Sequence, residues 1–127
     1  MNNKFYVSLE AAMLLKEKGY NRECVAYYQH KTFYPYAINT KKDLSITNKN
    51  AAPVYMEQYS APTKSEAIDW LESKGILVWT EPTCENIWMW FIISPIHFED
   101  NVETNSIVYL TRLEAEEAAI IKALELL

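Results

Sequence analysis

The sequence predicts an α+β fold: an antiparallel sheet of about four to five strands, with three helices packed mainly on one face. Three observations lead there. Three amphipathic stretches each follow a residue suited to cap a helix. The segments between them are short and rich in aromatic and β-branched residues. One of these, Ile87–Ile93, is apolar at every position, so both of its faces need cover. The element order is helix, two strands, helix, three strands, helix. A chain of 127 residues with 50% hydrophobic side chains is read as a single domain, 1–127, able to bury a core.

The first helix begins after Ser8, whose hydroxyl can accept from a free amide of the first turn. Glu10 near its start and Lys16 and Lys18 near its end suit the helix dipole, and Gly19 supplies the stop. Glu23–His30 reads as a strand with Cys24, Ala26 and Tyr28 on one face, opposite Val25 and Tyr27. Thr32–Ile38 is its expected partner, demoted to an edge or bent strand by Pro35. Asn39–Asn50 is polar and reads as loop, and Val54–Tyr59 is ambiguous.

The second helix opens at Thr63, with Glu66 at capping-box spacing and Pro62 just ahead. Ala67, Ile68 and Leu71 form its expected buried stripe, with Trp70 at the margin and Gly75 as stop. Ile76–Thr80 and Ile87–Ile93 then flank a polar break, Glu81–Asn86, as the arms of a β-hairpin, with Cys84 in its loop. Pro95–Asn105 reads as a polar connection and Ser106–Leu110 as a last short strand. Thr111 opens the third helix with Glu114 in the capping-box position. Its apolar stripe is Leu113, Ile120, Ile121, Leu124 and Leu127, lightened by four alanines, with Arg112 and Glu116 at i,i+4 spacing.

Composition excludes several classes of function. The net charge of −5 and the scattered lysines and arginines argue against nucleic acid as a partner. No apolar run approaches the ~18 residues of a membrane span and no secretory leader is visible, so the expected compartment is cytoplasmic. With two glycines in all, a glycine-rich phosphate cradle is out of reach. No cofactor is expected. Cys24, His30, Cys84 and His97 lack the close spacing of structural zinc ligands, and Glu85 beside Cys84 opposes a reactive thiolate. Glu99, Asp100 and Glu103 could gather as carboxylates, but a solvated loop accounts for them. No catalytic motif appears, and a non-enzymatic protein is the expectation.

The aromatic residues are the unusual feature. Three helices can cover one side of the sheet, leaving the Trp88, Trp90 and Ile92 side to meet residues 39–60, a ligand or a second copy. Those three residues, together with Tyr34 and Tyr36, are the expected interaction surface. Self-association as a homodimer would cover it, and an edge hairpin invites such pairing. The alternative is a small-molecule binding or hydrolytic domain, with a pocket between the sheet and residues 39–60. An inhibitor acting by charge mimicry of nucleic acid gains little from so modest a charge.

Four segments carry a resemblance: Tyr6–Tyr20, Cys24–Tyr28, Ala61–Leu71 (with its Ala-Pro-Thr…Trp-Leu block) and Glu114–Leu124. In these the chain resembles a group of small uncharacterised proteins of gut Bacteroides genomes and their phages and prophages. The resemblance implies a cytoplasmic, phage-derived accessory protein and brings no activity or catalytic residue with it.

Overall fold

The computed structural model describes residues 4–35, 48–52, 56–84, 87–94, 102–104 and 109–127. The α+β class and its antiparallel pairing hold, with the helices and strands nearly in the expected order. The strands form two three-stranded sheets rather than one, and the chain divides into two compact units, 1–63 and 64–127.

In the first unit, helix α1 (Leu9–Glu17) starts where Ser8 Oγ accepts from the amide of Ala11 at 3.2 Å. It ends in a Schellman motif: Gly19 N–H donates to Lys16 O and Tyr20 N–H to Leu15 O. Gly19 has φ +94°, the left-handed turn that favours glycine, and Tyr20 is buried directly behind it. Ala11, Ala12 and Leu15 form the inward stripe.

Strands β1 (Tyr27–Gln29) and β2 (Thr32–Tyr34) form a hairpin, and β3 (Gln58–Ser60) pairs with the other side of β1. The expected inward face, Cys24, Ala26 and Tyr28, is buried. Tyr28 reaches across to donate to Val7 O at 2.8 Å. The strand is shorter than expected because His30 and Lys31, at φ 49° and 66°, make a two-residue turn usually given to Asn-Gly. The ambiguous 54–59 stretch supplies β3. Its outer edge is capped by side chains: Ser60 N–H donates to Asn50 Oδ1 at 2.9 Å, and Lys16 Nζ donates to Gln58 O at 3.1 Å. Asn50 also donates to Tyr20 O, tying the 3-10 turn Lys49–Ala51 to the end of α1.

In the second unit, helix α2 (Lys64–Ser73) also ends in a Schellman motif, with Gly75 at φ +89°. Gly75 N–H donates to Glu72 O and Ile76 N–H to Leu71 O, both at 2.9 Å. Trp70 lies inside with Ala67 and Leu71 rather than at the margin. Strands β4 (Leu77–Cys84) and β5 (Ile87–Ile93) form the long hairpin, and β6 (Val102–Thr104) pairs with the far side of β5. Cys84 therefore ends a strand rather than sitting in a loop, after an irregularity between Pro82 and Cys84.

The third strand falls at 102–104, inside the stretch expected to be a connection. Of the expected strand 106–110, residues 106–108 lie outside the described residues, and Tyr109 forms an isolated bridge with Trp88. Helix α3 (Arg112–Glu125) begins where Thr111 Oγ1 accepts from Glu114 N–H at 3.1 Å. The alanines Ala115, Ala119 and Ala123 are fully buried, with Ile120 and Leu124 beside them, so α3 approaches the sheet and α2 closely. Arg112 and Glu116 stand 3.7 Å apart, as their spacing suggested.

Lys64, the first residue of α2, is 7% exposed. Burial pushes its ammonium pKa below the usual 10.5, while Glu117, Glu116 and Glu114 of α3 pull it back up. The native chain thus releases this proton at lower pH than the unfolded chain does. Between the lowered value and 10.5 the unfolded chain holds more protons, so Lys64 makes stability rise with pH across that window. Urea unfolding of Lys64→Met, followed from neutral pH to 10.5, should show a shallower rise than wild type. Parallel curves would contradict this account of the buried ammonium.

Candidate functional site

Side chains alternate along β4 and β5, and the register pairs residues of like parity: Val78 with Ile92, Trp79 with Phe91, Thr80 with Trp90. One face of the ladder therefore carries Val78, Trp88, Trp90 and Ile92, continuing the line of Ile76 and Ser94. Helices α2 and α3 pack on the sheet, and Ile76, Val78, Trp90, Ile92 and Ser94 are buried. The other face carries Leu77, Trp79, Met89, Phe91 and Ile93. Leu77 is 42% exposed and the other four are half-buried. Trp79 and Phe91 stack across the strands with centroids 5.3 Å apart and planes at 14°.

This corrects the expected surface. Trp90, at 7% exposure, and Ile92, at 0%, are core residues, and Trp88 is half-buried. The helices take the face that the sequence reading left open. Tyr34 is half-buried and stacks on Tyr27 at 5.3 Å within the β1–β2 hairpin; it belongs to the first unit, and the tryptophans belong to the second. Tyr36 lies outside the described residues.

The residues missed are Leu77, Trp79 and Phe91. A signal for them was present. Ile76 follows the helix-stopping Gly75, and the residue at that place in a Schellman motif packs back on its own helix. That fixes Ile76 inward, hence Val78 inward and Leu77 and Trp79 outward.

The first unit holds a second feature, a groove of about 340 Å³ between α1 and β3, lined by Met13, Lys16, Glu17 and Tyr59. A smaller hollow of about 70 Å³ adjoins it, sharing Met13 and Tyr59 and adding Leu9, Lys31 and Glu57. Lys16 Nζ sits 5.1 Å from the centre of the Tyr59 ring while donating to Ala52 O and Gln58 O.

The rim of the hollow is strained. His30, Lys31 and Glu57 are the non-glycine residues with positive φ among those described, and they meet there. His30 Nδ1 lies 2.9 Å from Glu57 Oε2, and His30 N–H donates to Glu57 O. Both side chains are exposed, so the pair is well solvated and adds little to stability.

Of the candidate ligand residues, Cys24 is buried, with its Sγ 3.6 Å from the Tyr20 hydroxyl. His97, Glu99 and Asp100 lie outside the described residues. Among the described residues no three His, Cys, Asp or Glu side chains gather where they could hold a metal ion. No described helix is long and apolar enough to cross a membrane. Comparison with family models, with curated proteins and with solved structures found no match.

Proposed function

We propose that the protein is a non-enzymatic interaction module that self-associates, a cytoplasmic accessory protein of phage origin. The observation that carries the interaction reading is the half-open apolar face of Leu77, Trp79, Met89, Phe91 and Ile93. Tryptophan and large apolar side chains at the centre of such a face are what protein interfaces are built on. The phage origin rests on the sequence resemblance alone, and the compartment on that resemblance and on the amino-acid pattern. The negative net charge of −5 turns the reading away from nucleic acid.

Light scattering on a size-exclusion column at micromolar concentration should give about twice the 14.8 kDa of one chain. Trp79→Lys, which places an ammonium on the open face, should return the mass to that of one chain. The variant should stay folded, with its unfolding free energy lowered by about 1–3 kcal/mol for the lost Phe91 stack and half-buried surface. A wild type that remains monomeric throughout the range would remove the proposal.

The groove in the first unit supports a second reading, a small-molecule binding or hydrolytic domain. Its wall at Glu57–Tyr59 belongs to the 39–60 stretch, and Leu9, Met13 and Tyr59 give it an apolar lining. A metabolite that fits should raise the thermal midpoint of wild type and lose that effect on Tyr59→Ala. A broad metabolite library without one such hit would dispose of this reading.

A further inference from the structure

The backbone hydrogen bonds of the second unit fix which groups of β4 point out of the sheet. Trp88 N–H donates to Tyr109 O at 2.8 Å, and Tyr109 N–H returns the bond to Trp88 O at 3.1 Å. The peptide groups of Trp88 therefore point away from β4. Because these groups alternate sides along a strand, those of Met89, Phe91 and Ile93 point toward β4. Their register partners Glu81, Trp79 and Leu77 spend their N–H and C=O groups on β5. Pro82 faces Trp88, at a position where no N–H is needed, as a proline requires.

What remains on the outer side of β4 is short and self-complementary. Val78 and Thr80 each turn an N–H and a C=O outward. At one end Ile76 has given its N–H to Leu71 O, and at the other Pro82 has none to give. In the sheet order β4-β5-β6 no described strand lies beyond β4. The edge of β3 is treated differently, since Asn50 and Lys16 occupy it.

We propose that β4 pairs antiparallel with β4 of a second copy, about a two-fold axis at Trp79; this deepens the self-association reading and rests on it. With that register Val78 of one copy faces Thr80 of the other. They exchange both of their hydrogen bonds, and the symmetry repeats the exchange. Every outward N–H from Ile76 to Pro82 is then used. The ladder stops at each end where Ile76 meets Pro82, with neither offering a donor. On the open face Trp79 meets its own copy at the axis, each indole already backed by a Phe91 ring. Leu77 then lies opposite Glu81, whose carboxylate stays at the exposed rim. Two-fold pairing closes the assembly at a dimer with one joined sheet.

The test uses the full chain in two measurements. Thr80→Pro removes an outward N–H and leaves the bonds between β4 and β5 intact. Light scattering should show dimerisation weakened at least about tenfold, as expected for the loss of one hydrogen bond in each copy. On the unmutated chain, amide exchange at Val78 and Thr80 should slow at least about tenfold from dilute to concentrated solution. The exchange measurement decides the matter even if Thr80→Pro fails to fold. A dimer in which these two amides exchange at the same rate at all concentrations overturns the edge pairing and leaves self-association standing. A wild type monomeric at all concentrations overturns both.

Discussion

The second unit depends on the two-residue repeat of the β4–β5 ladder, which commits each side chain to one face and admits no compromise between them. Ile76, Val78, Trp90 and Ile92 are drawn to α2 and α3, and this alone sends Leu77, Trp79, Phe91 and Ile93 the other way. The commitment is made before β4 begins. Gly75 takes the left-handed turn, Ile76 N–H returns to Leu71 O, and the Ile76 side chain is fully buried. From there the parity of β4 is set, and the register carries the same parity to β5. Turning the ladder over would bring Trp90 and Ile76 out of the core.

The two sheets handle their edges in opposite ways, and the difference bears on function. In the first unit Lys16 and Asn50 close the outer side of β3, so two otherwise unpaired backbone groups are satisfied within the unit. Both residues serve other needs at once. Asn50 donates to Tyr20 O at the end of α1, and Lys16 lies over the Tyr59 ring. The outer side of β4 has no such plug among the described residues. Its run of outward N–H donors is cut at Pro82, which limits how far any added strand could extend. An edge left open next to an apolar face is a feature that proteins ordinarily suppress unless it is used.

Much of the local structure was legible because it rests on short-range chemistry. Ser8, Thr111 and the two glycines mark helix ends through hydrogen bonds within a few residues, and all four do so. The burial of Cys24, Ala26 and Tyr28 followed from alternation along one strand. The failures share a different cause. Whether Trp90 or Phe91 faces the helices is a one-residue question that β5 itself leaves open, because both of its faces are apolar; the deciding signal lies outside it, at Gly75 and Ile76. The His30–Lys31 turn breaks the usual preference for Asn-Gly, so the sequence carried no sign of it. The third strand, Val102–Thr104, is three residues long and contains Glu103, and it is specified by pairing with β5 rather than by its own composition. Of the candidate surface, the hairpin was found and its outward face was inverted.

The most direct measurement of the central claim is the solvent exposure of the four tryptophans, read one by one from the fluorine NMR of 5-fluorotryptophan protein in dilute solution. The difference in shift between light and heavy water reports contact with solvent for each ring. The structure requires a small difference for Trp70 and Trp90, and a clearly larger one for Trp79 on the open face. A Trp90 resonance as responsive to solvent as that of Trp79 would mean that the ladder faces the other way, and the account of the site would not survive it.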